Sequence, residues 1–409
     1  MISPRADSPP PTEHPPGGPA SSTLGGPLDR EYGVSFHPVP DENQRNRGSA
    51  VEHTYPQYER LGTAREISKH YGLNHRVEMC GLYPLPDRDA EIVQRPNGRH
   101  GFSNLMRCGS VWVCPACRTR VANERAEEID AAIQAAHAQG LRASLVTLTQ
   151  HHTVSDSLAE LIDAQKAALR NLLEGRRWVD LADRMGYVGR IRTVEVKYNT
   201  ATGWHPHVHL LVFHTDEIDA DALFERWRDA LSKQGRLANR AAFDVRSVDP
   251  STESAGRTAA YIAKMESLSY RRESTWSTGD EMTADHAKDA GSETPEQLLD
   301  RAANGDIDAI DAYREYIEAT KGMQSLSWSN GLRKRLGLAK ERSDEEIAND
   351  NENEGKTVRK VSLAEMLALV ETNLRSRLLR EADAHGLPGI ERVIGEAMRR
   401  AYGRRPVAA

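Results

Sequence analysis

Residues 187–213 read YVGRIRTVEVKYNTATGWHPHVHLLVF, and the fold turns on this stretch. Two β-rich runs, 187–198 and 204–213, flank the turn-forming residues NTATG at 199–203, so the segment predicts an antiparallel hairpin. Alternate residues of a strand share a face. His205, His207 and His209 therefore point one way, while Val208, Leu210 and Val212 point the other way, into a core. If the turn is symmetric about Ala201, Glu195 lies across from His207 and joins the histidine face, with Val194 and Val196 on the apolar one. Two imidazoles at i and i+2 with a carboxylate from the next strand form a mixed nitrogen and oxygen site. Such a site suits Mg²⁺ or Mn²⁺ held with positions left open for a phosphate oxygen. The bland reading is a surface strand with incidental histidines. Three histidines in five residues beside a correctly phased glutamate weigh against it.

Upstream, SLVTLT at 144–149 is a β-branched strand pattern. Residues 156–173 follow with Leu158, Leu161, Ile162, Leu169 and Leu172 at helical spacing behind Ser155 and Asp156 as caps. Downstream, Leu223, Phe224, Trp227 and Leu231 mark one helix face, FDVRSV at 243–248 another strand, and 256–268 a further helix. The order β-α-β-β-α-β predicts an α+β protein with a split βαβ (ferredoxin/RRM-like) antiparallel sheet and helices on one face.

On the helix after the last strand, Tyr261 and Lys264 share a face. A phenol can displace a DNA 3′-oxygen if its proton is removed and the phosphate charge is neutralised. With a free pKa of about 10, tyrosine needs such help at neutral pH. Alone, the pair reads as a half-buried tyrosine beside a solvated lysine; the histidine hairpin gives it weight.

Cys80, Cys108, Cys114 and Cys117 are the chain's four cysteines. Cys114-Pro-Ala-Cys117 has zinc-knuckle spacing, and the cluster predicts a structural Zn²⁺ site rather than disulfides or a redox pair. The following helix, 118–138, carries Val121, Ile129 and Ile133 as an apolar stripe. Its Arg118, Arg120 and Arg125 are candidates for phosphate contact, with solvated arginines as the default.

The domain organisation expected is a disordered arm at 1–50, a zinc-binding module and helix at 75–140, and a nuclease domain at 141–270. A polar loop at 271–292, a helical extension at 293–342, an acidic linker at 343–355 and C-terminal helices at 356–409 complete it. The net charge of −6 speaks against a DNA-coating protein but leaves room for a site-specific enzyme with a local basic face. The sequence predicts a cytoplasmic protein with no membrane segment and no secretion signal.

SLVTLT, WHPHVHLLV and AAYIAK occur in that order, and together they resemble the three motifs of the HUH endonucleases, where U is a hydrophobic residue between two metal-binding histidines. They look most like the plasmid rolling-circle replication initiators, over roughly residues 75–335. The tyrosine follows the histidines here, whereas conjugative relaxases of the superfamily place it before them. The resemblance implies His207 and His209 as metal ligands with Glu195 at the position that often supplies the third. It implies Tyr261 as the nucleophile that nicks origin DNA, single-stranded or in a cruciform, leaving a 5′-phosphotyrosyl link and a free 3′-OH primer. Host helicase and polymerase are the implied partners. Initiators of this group often carry a glutamate four residues before the tyrosine; here that position is Arg257, with Glu253 a turn further upstream and Tyr270 as a second candidate nucleophile. The alternatives are a rolling-circle transposase of the same superfamily, whose paired tyrosines YIAKMESLSY does not match well, and a non-catalytic zinc-dependent DNA-binding regulator.

Overall fold

The computed structural model describes residues 55–248, 291–350 and 355–403. In chain order the first elements are α1 (Pro56–His70), β1 (Ala90–Gln94), β2 (His100–Ser103) and α2 (Pro115–Ala138). Next come β3 (Arg142–Leu148), α3 (Leu158–Leu172), α4 (Arg176–Arg184), β4 (Tyr187–Asn199), β5 (Gly203–His214), α5 (Ala220–Ser232) and β6 (Asp244–Val248). Beyond residue 290 lie α6 (Pro295–Ala303), α7 (Ile307–Ala319), β7 (Leu326–Trp328), α8 (Leu332–Arg335) and α9 (Asp344–Ala348). They are followed by β8 (Lys356–Val361), α10 (Leu363–Glu371) and α11 (Arg375–Tyr402). The arm at 1–50, the helix expected at 256–268 and residues 271–290 of the expected loop lie outside the described residues. So do Glu253, Arg257, Tyr261, Lys264 and Tyr270.

The larger sheet has the order β6-β3-β5-β4-β7, with every neighbouring pair antiparallel. Numbering only β3 to β6 in chain order gives 4-1-3-2, the split βαβ arrangement. The short strand β7 then adds a fifth strand at the edge, pairing Leu326 with Thr193. The sheet is an α+β one, as its element order predicts. α3 begins slightly later than expected because Ser157, not Ser155 or Asp156, is its cap. Ser157 accepts from the Glu160 N–H, and Glu160 reaches back to close a capping box. Asp156 instead accepts from the Thr153 N–H at 2.8 Å and pairs with Arg236 at 2.5 Å.

Helices cover both faces of this sheet, not one. α3 packs on β5 and on α5, over the face that carries the buried Val208, Leu210 and Val212. Gln165 of α3 donates to the Pro206 carbonyl at 2.7 Å, and Trp227 of α5 donates to the Thr149 carbonyl at 2.7 Å. On the histidine-bearing face, the far half of β5 is apolar. Leu211 and Phe213 join Ala143, Ile191, Leu326 and Leu332 in a core closed by Ile129, Ala132 and Ile133 of α2. One strand face is thus divided between a packed core and a polar site.

Two of the α2 arginines are internal ties rather than phosphate contacts. Arg118 is 5% exposed, pairs with Glu296 of α6 and donates to the Tyr316 hydroxyl of α7 at 2.8 Å. Arg125, also 5% exposed, pairs with Glu128 at 2.6 Å and Asp344 at 2.8 Å. A guanidinium this far from water needs such partners, since an unpaired buried charge is strongly destabilising. Arg120 donates to the Ile347 carbonyl at 3.1 Å.

A second, three-stranded sheet has the order β2-β1-β8, so a strand from the end of the chain completes one begun near residue 90. The last helix is fastened to the same place. Asp383 accepts from the Tyr55 hydroxyl at 2.7 Å and from the His100 N–H at 2.8 Å, and its carboxylate meets the His100 ring at 2.8 Å. Among the described residues, no helix is long and apolar enough to cross a membrane.

Candidate active site

The hairpin register places Glu195 across from His207, Thr193 across from His209 and Lys197 across from His205. That is the pairing a turn centred on Ala201 dictates, with Asn199 opposite Gly203. The Asn199 side chain fixes the turn by accepting from the Ala201 N–H at 2.8 Å and the Thr202 N–H at 3.3 Å.

Glu195, His207 and His209 offer three ligand atoms that all lie within 4.8 Å of one another. His209 Nε2 is 3.0 Å and His207 Nδ1 3.4 Å from the same Glu195 carboxylate oxygen. Ligands about 2.1 Å from a hard divalent ion, at right angles to each other, stand about 3.0 Å apart. Both separations from the Glu195 oxygen are close to that value, so the donor set suits a hard divalent ion with positions left for water or a phosphate oxygen. Burial alone would raise the Glu195 pKa, but hydrogen bonds from His207 and His209 hold it well below the usual carboxylate range, so it is an anion ready for a cation. His209 is nearly enclosed, whereas the His207 side chain, 15% exposed, is the member most open to solvent.

Neighbours orient these ligands. The Thr147 hydroxyl lies 3.2 Å from His209 Nδ1, which leaves Nε2 facing Glu195. His205 meets His207 through their Nε2 atoms at 2.9 Å and stacks on His152 with ring centroids 4.2 Å apart. Burial, with His207 and His152 close by, pushes the His205 pKa down to about 2, so that ring is neutral. Lys197 Nζ is 3.5 Å from the other Glu195 oxygen. Thr147, His152 and Lys197 are contributors that sequence reading does not single out. Lys197 leaves a local signal, since the hairpin register sets it across from His205, and Thr147 leaves one only once β3 is known to pair with β5.

The cysteines also converge. Cys80 follows a short 3₁₀ turn at Arg76–Met79, Cys114 caps α2, and Cys117 lies in the first turn of that helix. All four are buried and free of disulfides. Sulfur separations are 3.6 Å for Cys80–Cys117, 3.7 Å for Cys108–Cys117 and 3.5 Å for Cys80–Cys114. The edge of a tetrahedron with Zn–S bonds of about 2.3 Å is about 3.8 Å. Four sulfurs at that spacing suggest a structural zinc centre. Hydrogen bonds from Cys108, Cys114 and Cys117 hold the Cys80 thiol well below its usual range, while burial pushes Cys114 up.

Comparison with known proteins points the same way. The sequence profile described as Replication protein matches residues 103–365. A protein of Streptomyces lividans named "Protein rep" is 30% identical, covering 60% of this chain and 67% of that one. A "Neomycin resistance protein" of Streptomyces cyanogenus is 31% identical over 31% of this chain and 35% of its own length. No solved structure matches.

Proposed function

From the premise that this chain belongs to the replication-protein family, we propose that it initiates plasmid rolling-circle replication by nicking origin DNA. The observation that carries this reading is the convergence of Glu195, His207 and His209 on one point of a split βαβ sheet. A Mg²⁺ or Mn²⁺ ion bound there supplies positive charge that draws electron density from a scissile phosphate. Tyr261 is the proposed nucleophile. Its phenol gives up a proton, with Lys264 steadying the phenolate or the phosphate, and its oxygen bonds to phosphorus as the bond to the DNA 3′-oxygen breaks. The 3′-oxygen leaves with the electron pair, takes up a proton and becomes the primer end, while the 5′-phosphate stays on the tyrosine. The substrate is origin DNA, single-stranded or extruded as a cruciform, and a host helicase and polymerase act next.

The test is a single-stranded oligonucleotide carrying the replicon's origin, incubated with Mn²⁺. A covalent adduct should form, and mass spectrometry of the linked peptide should locate it on Tyr261. Tyr261→Phe should abolish it; an adduct that survives, or one found on Tyr270, would overturn the nucleophile assignment. Unchanged cleavage by a His207→Ala, His209→Ala double variant would remove the metal site from the mechanism.

A further inference from the structure

Beside the cysteine cluster lie two buried guanidiniums that the nicking chemistry does not use. Arg65 of α1 is 4% exposed and Arg375, the first residue of α11, is 1% exposed. Arg65 donates through Nε to the Glu78 carbonyl at 2.9 Å and through Nη2 to the Cys80 carbonyl at 2.7 Å, so it grips the backbone leading into the first cysteine. Arg375 is held differently. Its guanidinium lies over the Tyr58 ring, 5.2 Å from the centroid. Its Nη1 reaches the residue after Cys80, coming 3.3 Å from where a Cβ on Gly81 would stand. Yet neither its Nε nor its Nη1 has a hydrogen-bond partner among the described residues. Among the described residues, neither arginine forms an ion pair with a carboxylate. Burying an ion without an opposite charge is costly, so two adjacent cations imply an anion that they serve.

The four cysteines provide one. A zinc ion with four thiolates carries a net charge of two minus, and two arginines carry two plus. We propose that Arg65 and Arg375 are the counter-charge of the zinc tetrathiolate, and that Arg375 thereby ties the C-terminal helices to the metal. Burial pushes both guanidiniums down, and the thiolate charge of Cys80 and Cys114 opposes that shift at each of them. The arrangement gives α11 a chemical task at the metal as well as a packing one. It rests on reading the four cysteines as a zinc centre, and the experiment separates the two ideas.

Zinc content of the full chain is measured first by elemental mass spectrometry, then zinc affinity by competition with a chromophoric chelator. A wild-type chain with no tightly held zinc defeats the zinc reading itself. Given bound zinc, Arg375→Met, which keeps volume and removes charge, should weaken zinc binding about 10- to 100-fold, the usual effect of losing an outer partner of a metal centre. Arg375→Lys should stay within a few-fold of wild type. In the zinc-stripped protein Arg375→Met should cost no stability, because there the arginine has no dianion to serve. Equal destabilisation of the loaded and stripped forms, or unchanged zinc affinity, would show that Arg375 only packs. If Arg375→Met does not fold, Arg375→Lys decides: affinity near wild type supports the charge role and a large loss overturns it.

Discussion

Thr147 shows how much of the site depends on a single neighbouring atom. For His209 to ligate through Nε2, its proton must sit on Nδ1, and the Thr147 oxygen 3.2 Å away is placed to accept it. Thr147→Val preserves the β-branched shape of the strand and removes the acceptor. The Mn²⁺ concentration needed for half-maximal cleavage should then rise about tenfold, with a smaller change in the rate at saturating metal. A metal titration of origin cleavage checks this, and coincident curves for variant and wild type would mean that packing alone orients the ring. Glu296 illustrates the opposite case of a charge that never meets solvent. It is 5% exposed and faces Arg118. Glu296→Ala leaves that arginine buried without its carboxylate and should cost about 3–5 kcal/mol of stability in denaturant unfolding. A loss below about 1 kcal/mol would mean that Tyr316 and the nearby carbonyls suffice.

At the scale of the element, the hairpin was readable because two local rules agree. A period of two assigns each residue a face, and a turn centred on Ala201 assigns each its partner. Together they put Glu195 beside the histidines with no long-range information. The backbone at 153–154 comes close to the hairpin turn. Gly203 has φ +82°, and a Cβ there would stand 2.9 Å from the Thr153 carbonyl oxygen and from Val154 Cα. Gly203→Ala should therefore destabilise by about 1–3 kcal/mol through strain and displacement of the 153–154 backbone. Thermal unfolding measures this, and an unshifted midpoint would mean that the loop yields freely. Elements whose partners are remote in sequence were not readable. β8, KTVRKV, is largely solvent-facing and lacks an apolar alternation, yet it pairs Arg359 with Ile92. The arginines of α2 look like a solvated face because Glu296 and Asp344 arrive from a much later part of the chain. The two metal-ligand sets differ in the same way: the strand pair declares itself locally, whereas Cys80 joins its cluster only through the fold.

For the molecule as a whole, burying imidazoles makes stability a function of pH. His152, His205 and His214 each have their pKa pushed below the ordinary value, in every case chiefly by burial. The unfolded chain takes up these protons as pH falls through about 6.5, whereas the folded chain does not. Below that point the unfolded state binds more protons, so folding stability is fully present above about pH 6.5 and declines as pH falls. Each excluded proton contributes a slope of up to about 1.4 kcal/mol per pH unit. For His205 the decline extends down to its folded value of about 2. Glu195 adds its own loss only at lower pH, because its carboxyl is held well below its ordinary value of 4.5. The interval from pH 6.5 to 5 is thus dominated by histidine. Urea unfolding without added divalent ion should give a midpoint that is flat from pH 8 to 7 and falls steadily from 6.5 to 5. Replacing His205 with Gln, which cannot be protonated, should flatten that fall by up to one proton's slope. A midpoint that does not move between pH 7 and 5 would mean that these rings are solvated and protonated in the folded chain, and the neutral His205 beside His207 would have to be abandoned.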